Sequence, residues 1–127
     1  NAFASQYADA MAQSTGLMVC ITYRDQVIAA AGGAKKELLQ KPISRQLENV
    51  INERTALMAG KDDKAYTPVA AEDVEGVTAQ VVAPIICEGD AIGAVVIMSR
   101  EPRAKFTEAE MRLAATAAGF LGRQMES

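Results

Sequence analysis

The sequence contains no histidine and no tryptophan, and only two of its 127 residues are cysteines. Histidine is the usual proton shuttle near neutral pH and the commonest ligand of zinc and haem iron, so its absence excludes the most frequent acid–base, metal and haem sites. Cys20 and Cys87 form no disulfide framework, and each lies within or at the end of an apolar run. We expect reduced, structural thiols, with a redox or ligand-contacting role as the alternative. We therefore predict a protein that is not an enzyme and holds no cofactor or metal ion.

Long apolar runs and blocks of positive charge are also missing. No segment reaches the roughly 20 apolar residues that a membrane-spanning helix needs, and no basic region followed by an apolar block begins the chain. The net charge is -3, and the Lys and Arg residues form no block that could attract a nucleic-acid backbone. We expect a cytoplasmic protein that contacts no membrane and no DNA through this part of the chain. Asn1 is not an initiator methionine, which indicates a processed or excised piece.

The residues that are present, 50% of them hydrophobic and 23% charged, are typical of one globular domain that spans residues 1–127. The most strongly patterned stretch is Val77–Ser99, where two apolar β-type runs flank the tight turn Glu88-Gly89-Asp90. This pattern predicts an antiparallel hairpin at the centre of a sheet that is covered on both faces. Ala91 and Gly93 are small, which indicates that backbone or a ligand passes close to the start of the return strand.

Three further strands are predicted around this hairpin. Leu17–Tyr23 and Gln26–Ala31 are β-rich runs joined by a two-residue turn. Tyr66–Ala70 is predicted as a short strand at the sheet edge, because Pro68 within it cannot donate a backbone hydrogen bond. The preceding segment 59–64 is rich in glycine and charge, so we predict a mobile loop there.

Helices are predicted from apolar spacing and from capping residues. Ala2–Ser14 is an amphipathic helix, Ala34–Leu39 is a short helical turn, and Ser44–Arg54 is a helix with its first residue as the N-cap. The last helix starts at the capping box Thr107-Glu108-Ala109-Glu110 and runs to about Met125. The apolar stripe predicted for the first helix consists of Phe3, Tyr7, Ala10, Met11 and Ser14.

The last helix combines an apolar stripe with heptad-like spacing and a stripe of small residues. Gly119 and Gly122 each cost about 1 kcal/mol relative to alanine inside a helix, a cost that close packing of another helix would offset. The partner is either the first helix of the same chain or a second copy. We favour both, as a four-helix bundle, since Phe120, Leu121 and Met125 add surplus apolar surface. The predicted interface residues of this homodimer are Phe3, Tyr7, Met11, Ala118, Gly119, Leu121, Gly122 and Met125.

A pair of glycines before the short helical turn indicates a place for an anionic ligand. Gly32 and Gly33 can form a nest of backbone N–H groups, and Lys35 and Lys36 would add positive charge. A flexible turn followed by a solvated basic face explains the same residues and is the favoured alternative. Together with two residues of the following helix, the candidate ligand-binding residues are Gly32, Gly33, Lys35, Lys36, Ser44 and Leu47.

The order of the predicted elements and one long motif resemble a GAF domain. The motif reads Pro-Ile-x3-Gly-Asp-x-Ile-Gly-Ala-Val-Val-Ile and runs from Pro84 to Ile97. Two further motifs, FAxxYADA at Phe3–Ala10 and AAGFLxRQME at Ala117–Glu126, are similar to the C-terminal GAF domain of AbrB-type sporulation transcription regulators. The same resemblance includes Arg24-Asp25, Lys35-Lys36, Lys41 and Ile43-Ser44, and so covers nearly the whole chain.

The resemblance implies an α+β, GAF-like fold with a central antiparallel five-stranded sheet in the order 2-1-5-4-3. The N- and C-terminal helices would lie on one face and the shorter helices on the other, with a ligand bound under Gly32–Arg54. It also implies a transcription regulator of endospore-forming bacteria that contacts DNA only through an N-terminal domain absent from this chain.

In such a regulator the GAF domain would sense an unidentified small molecule and would contribute to assembly of a homodimer, or of a tetramer in the full-length protein. The signature of the cyclic-nucleotide GAF group is not found, an axial haem ligand of the usual kind is absent, and photoreceptor members use a cysteine or histidine near the bilin. The ligand therefore has no name at this stage.

Two alternatives stand beside this leading hypothesis of a regulatory GAF domain. A purely structural dimerisation module would have its pocket filled by side chains such as Leu47 and Ile51. A thiol-dependent reductase, suggested by the activity of some GAF domains, would have only Cys20 and Cys87 and no histidine to serve as a base.

Overall fold

Four helices and five strands follow one another along residues 2–125, the part of the chain that this computed structural model describes. Their order agrees with the prediction. The predicted closing motif extends to Glu126 and therefore ends outside the described residues. The elements are α1 (Ala2–Thr15), β1 (Met18–Tyr23), β2 (Gln26–Ala31), α2 (Lys35–Leu38), α3 (Arg45–Glu53), β3 (Leu57–Gly60), β4 (Ala79–Cys87), β5 (Asp90–Ser99) and α4 (Glu108–Gln124).

The five strands form one antiparallel sheet in the order β2-β1-β5-β4-β3, as the resemblance implied. β5 is the central strand, and its hairpin with β4 turns at Glu88 and Gly89, whose φ angles of 50° and 85° lie in the left-handed region. Gly93 on β5 lies so close to β1 that any side chain there would overlap the carbonyl of Thr22. The close approach predicted at this position is therefore that of a neighbouring strand.

Alternate residues of the strands enter two hydrophobic cores, one on each face of the sheet. On one face Val81, Ile85 and Ile97 pack under α1 and α4. On the other face Val82 and Val96 pack under α2 and α3. The sheet is thus covered on both sides as predicted, and the two terminal helices share one side.

The edge strand lies elsewhere than predicted. β3 is Leu57–Gly60, which pairs with β4 and includes part of the segment predicted to be a mobile loop. Tyr66–Ala70 is not a strand, although Ala70 forms an isolated bridge with Ile43. At Thr67 the backbone pairs with a side chain: Thr67 N–H donates to Gln80 Oε1 at 2.7 Å, and Gln80 Nε2 donates back to the Thr67 carbonyl at 2.8 Å. The fully buried Gln80 amide takes the place of a strand partner.

The buried face of α1 differs from the predicted stripe, of which Met11 alone is fully buried. Small side chains let α1 lie close to β1 and β2, whereas the aromatic rings pack sideways against α4. The ring of Phe120 lies 5.5 Å from that of Phe3 and 5.3 Å from that of Tyr7, and Phe3 remains 40% exposed. The residues that α1 buries are Ala4, Ala8, Met11 and Ala12.

α4 begins with the predicted capping box, in which Thr107 N–H donates to Glu110 Oε1 at 2.6 Å. Gly122 faces β4, where any side chain would overlap the carbonyl of Ile86. The prediction that both glycines admit another helix is therefore wrong for Gly122, whose close neighbour is a strand. A Cβ added to Gly119 would meet no described atom within 4 Å outside its chain neighbours and the adjacent backbone of α4.

Candidate functional site

A cleft of about 580 Å³ opens between the second half of α3, the β1–β2 turn and the first residues of β5. Part of its wall belongs to the segment Gly32–Arg54, under which the resemblance implied a ligand. We refer to it as the α3 cleft. Its lining residues are Arg24, Asp25, Ile43, Glu48, Ile51, Asn52, Arg54, Asp90, Ala91 and Ile92.

Arg24 forms one rim of the α3 cleft from the β1–β2 turn. Its backbone has a φ of 57°, in the left-handed region that glycine usually occupies, and its N–H donates to the Ile92 carbonyl at 2.6 Å. Its guanidinium carbon lies 5.0 Å from the centre of the Tyr23 ring, a cation–π contact. The turn therefore presents this positive charge in a restrained position.

Arg54 forms a second rim at the end of α3. It is the C-cap of the helix and has a φ of 60°, a conformation again typical of glycine at helix ends. Its guanidinium Nη1 donates to the Gly89 carbonyl at 2.8 Å and so connects α3 to the β4–β5 turn. The Arg54 side chain thus forms one wall of the cleft and bridges α3 and the β4–β5 turn.

The α3 cleft has an apolar base and charges of both signs around it. Ile51 is 4% exposed, and Ile43, Ala91 and Ile92 are half-buried. Within residues 2–125 no ion pair shorter than 4.0 Å joins any two of the charged lining side chains, because the two ion pairs of the described chain lie elsewhere. The charged residues are Arg24, Asp25, Glu48, Arg54 and Asp90.

The predicted anion nest is not brought into this cleft. At Gly32, with a φ of 80°, any side chain would overlap the backbone of Leu17, and at Gly33, with a φ of 102°, a Cβ would lie 3.4 Å from an Arg100 guanidinium nitrogen. Close packing thus accounts for Gly32, and the left-handed φ accounts for Gly33. Lys35 and Lys36 are exposed and line two different grooves.

Ser44 and Leu47, both predicted to bind a ligand, have structural roles and do not line the α3 cleft. Ser44 is the N-cap of α3, as predicted: its hydroxyl accepts from Leu47 N–H at 3.0 Å and donates to the Pro68 carbonyl at 2.6 Å. Leu47 is fully buried in the core between α3 and the sheet. This core fills the space under the middle of α3, so the α3 cleft lies at its rim.

A second cleft, of about 520 Å³, shares Ile43 with the first and includes Lys36 and Asp73. Behind it the Tyr66 hydroxyl donates to Asp73 Oδ2 at 2.6 Å, and Lys61 Nζ lies 3.6 Å from the same oxygen. Burial and the neighbouring Asp73 carboxylate raise the pKa of Tyr66, so its hydroxyl stays protonated. These contacts connect the loop that contains Tyr66 to the loop that contains Asp73. The Asp73 carboxylate is therefore already paired within the chain.

The two thiols are far apart. Cys20 lies opposite Val96 of β5 and Cys87 opposite Asp90, so six residues of strand, roughly 20 Å, separate their levels in the sheet. Both cysteines are free, and burial raises the pKa of the Cys20 thiol to about 12. Along residues 2–125 no group of His, Cys, Asp and Glu side chains is arranged to hold a metal ion.

The predicted interface residues fall into two groups. Tyr7 and Met125 are half-buried, and Phe3 and Gly119 lie at the outer surface. The others are in the core of their own chain, which corrects their assignment to an interface, since a second copy cannot contact them without unfolding this layer. These buried residues are Met11, Ala118, Leu121 and Gly122.

Sequence reasoning missed the charged residues of the α3 cleft. Arg24, Arg54 and Asp90 are distant in sequence; Arg24 and Asp90 each belong to a stretch that resembles the GAF family, but no single motif contains all three. One local signal was available: the β1–β2 turn has no glycine, although such turns usually contain one. A charged residue at a glycine position is a reason to look for a use of its side chain.

None of the helices within residues 2–125 has the length and apolar character that crossing a membrane requires.

A family model described as stage V sporulation protein T C-terminal, transcription factor, matches residues 1–126. Stage V sporulation protein T of Bacillus subtilis (strain 168) is 43% identical over 124 residues, which cover 98% of this chain and 67% of that protein.

Solved structures share the fold at low sequence identity. The cofactor-binding GAF domain of the nutrient sensor CodY from Clostridium difficile is 15% identical with a TM-score of 0.66, over 95% of this chain and 83% of that chain. A phycocyanobilin-bound GAF domain of a cyanobacterial phytochrome is 21% identical with a TM-score of 0.68, over 98% and 82%. The type II free methionine-R-sulfoxide reductase of Thermoplasma acidophilum is 15% identical with a TM-score of 0.70, over 96% and 92%. The predicted GAF-like fold is thereby confirmed.

Proposed function

Because this chain belongs to the family of stage V sporulation protein T C-terminal transcription factor domains, we propose that it is the regulatory GAF domain of a sporulation transcription factor. In this proposal the domain binds a small molecule in the α3 cleft and contributes to the assembly of an oligomer. DNA is contacted by another part of the full-length protein, in keeping with the net charge of -3 and the lack of a basic block here.

The α3 cleft is the observation that carries the ligand-binding proposal. Two arginines line it from left-handed backbone positions, and an apolar base lies beneath them. Strained conformations of this kind cluster at functional sites, because the structure around them must offset their cost. The CodY domain is described as cofactor-binding and the phytochrome domain as bilin-bound, so the same fold holds small molecules in those proteins.

The ring cluster of Phe3, Tyr7 and Phe120 supports the assembly proposal. Phe3 is 40% and Phe120 42% exposed, and Gly119 offers an open position next to Phe120 on the same helix. A second copy that packs the same surface against its counterpart would form a two-fold symmetric contact. A homodimer, with a tetramer in the full-length regulator, is the assembly that we propose.

A purely structural dimerisation module is the second candidate, and one observation favours it. Leu38 and Leu47 are fully buried on the α3 side of the sheet, so that side has a filled core and an open cleft only at its rim. A thiol-dependent reductase is not supported, since Cys20 is buried with a raised pKa and lies far from Cys87.

A thermal-shift experiment with the small-molecule fraction of sporulating cells tests ligand binding. A ligand at 100 times its Kd stabilises a protein by about 2.7 kcal/mol. We expect the extract to stabilise the wild type and the control Ala56→Trp, in which an exposed residue outside the cleft is enlarged. Ala91→Trp, which fills the α3 cleft, should fold and show no shift. No shift with the wild type, or an equal shift with Ala91→Trp, would contradict the proposal and favour the structural module.

A further inference from the structure

We propose that the α3 cleft selects a small zwitterion that carries an ammonium group, a carboxylate group and an aliphatic part. This inference rests on the proposed ligand-binding function and names the class of ligand. Its starting point is the set of charges around the cleft, two guanidinium groups and three carboxylates: Arg24, Arg54, Asp25, Glu48 and Asp90.

These charges are not used up by one another. In the described part of the chain, ion pairs join Lys61 to Asp73 and Arg100 to Glu37, and neither pair lies among the charges of the α3 cleft. Charges of both signs that line one cleft without pairing remain available to a ligand that carries both signs. A ligand with a single charge would satisfy one set and leave the other unpaired.

The balance of charge argues against a strongly anionic ligand. Three carboxylates and two guanidinium groups leave the lining with one excess negative charge. A phosphate or dicarboxylate would gain ionic contacts with the two arginines but would be repelled by the three carboxylates. A net-neutral zwitterion avoids this repulsion.

Both arginines are held so that donors remain free for a carboxylate. A guanidinium group has five N–H donors, and Arg54 uses one of its nitrogens on the Gly89 carbonyl. The Arg24 guanidinium contacts the face of the Tyr23 ring, which leaves the N–H groups at its edge available. Restraint of this kind lowers the cost of ordering a side chain on binding.

The apolar base of the cleft would contact the aliphatic part of the ligand. Ile51 is almost fully buried there, and Ile43 and Ile92 are half-buried and still expose apolar surface. A ligand with a branched or unbranched aliphatic chain would cover this surface. A free aliphatic amino acid and a short aliphatic peptide share the required chemistry.

Isothermal titration of the full 127-residue chain tests the inference with defined probes. The probes are valine, leucine, isoleucine and methionine, the dipeptide Leu-Leu, and the N-acetyl and amide derivatives of the tightest binder. We expect one zwitterion to bind at millimolar or lower concentration, and each singly charged derivative to bind at least tenfold more weakly. Tighter binding of Leu-Leu than of the amino acids would identify a peptide as the source.

Variants then connect binding to the cleft. Arg24→Gln and Asp90→Asn should each weaken binding of the zwitterion at least tenfold, whereas the controls Arg103→Gln and Glu101→Gln, exposed outside the cleft, should not. Equal binding of the charged derivatives, or no effect of the cleft variants, would overturn the inference.

The two experiments distinguish failure of the zwitterion inference from failure of the proposed ligand-binding function. If no probe binds while the cell extract still stabilises the wild type and not Ala91→Trp, the zwitterion is wrong and ligand binding stands. If neither the probes nor the extract has an effect, both proposals fail.

Discussion

Arg24 and Arg54 adopt left-handed backbone conformations that cost a non-glycine residue about 1 kcal/mol or more. Each arginine stands where the fold itself would be served by glycine, one in a tight turn and one at a helix end. Both side chains line the same cleft. Since both side chains line the α3 cleft, ligand binding there would explain why arginine and not glycine occupies these two positions.

Arg24→Gly tests this view. The substitution should leave the free energy of unfolding unchanged or raise it by up to about 1 kcal/mol, because glycine relieves the backbone while the Tyr23 contact is lost. It should also weaken ligand binding in the α3 cleft. Urea denaturation and titration measure the two effects separately. A loss of several kcal/mol would show that the arginine serves the fold and not the site.

Cys20 makes a residue-scale prediction about pH. Burial raises the pKa of its thiol from an ordinary 9.0 to about 12, so above pH 9 the unfolded chain loses this proton while the folded chain retains it. The free energy of unfolding does not change through this thiol below pH 9. Between the two pKa values it falls by about 1.4 kcal/mol per pH unit. Urea denaturation from pH 8 to pH 10 should therefore give a steeper fall for the wild type than for Cys20→Ala. Equal slopes would show that the thiol is accessible to water.

At the scale of the elements, α4 contains two glycines in different surroundings. Gly122 lies against the carbonyl of Ile86 on β4, whereas a Cβ at Gly119 would meet no described atom within 4 Å outside the adjacent part of α4. The helix therefore lies close to the sheet at one glycine only. The other is left on the outer face, next to Phe120.

Alanine substitutions at the two glycines of α4 should act in opposite directions. Gly119→Ala in the monomer should raise the free energy of unfolding by about 1 kcal/mol, the difference in helix propensity. Gly122→Ala should lower it by about 1–3 kcal/mol, because the added methyl group overlaps backbone and the helix must move. Urea denaturation of dilute protein gives both values. A stabilising Gly122→Ala would mean that α4 lies farther from β4 than described.

At the scale of the whole molecule, the two faces of the sheet differ in what they expose. The face with α1 and α4 carries exposed aromatic rings, and the face with α2 and α3 carries the α3 cleft at its rim. A ligand and a second copy of the chain would therefore act on opposite faces, with β5 and β4 between them.

Two neighbouring residues of α4 separate assembly from folding. Phe120 is 42% exposed and Leu121 is fully buried. We expect Phe120→Asp to give a folded monomer and Leu121→Asp to unfold the domain, because an unpaired charge is costly in an apolar core. Circular dichroism and sedimentation velocity measure the two results.

Ala109→Asp, in the exposed first turn of the same helix, is the matched control and should remain folded and assembled. Unchanged sedimentation of Phe120→Asp, or a monomeric wild type, would contradict the proposed interface.

The sequence alone was sufficient for the four helices, the strands other than β3, the α4 capping box and the N-cap at Ser44, because periodicity and capping depend on residues a few positions apart. The order of the strands followed from the resemblance to the GAF family. Gly93 was also interpreted correctly, as a point of close approach.

The tertiary structure decided what depends on partners distant in sequence. The Gln80 side chain hydrogen-bonds to the backbone of Thr67, and the edge strand is Leu57–Gly60, neither of which a local pattern indicates. The buried face of α1 consists mostly of small residues, because the helix packs closely on the sheet. Arg24, Arg54 and Asp90 meet in one cleft only because a turn, a helix end and a strand start converge there. Spacing along a chain governs local conformation, whereas these outcomes depend on distances that exist only after the sheet has formed.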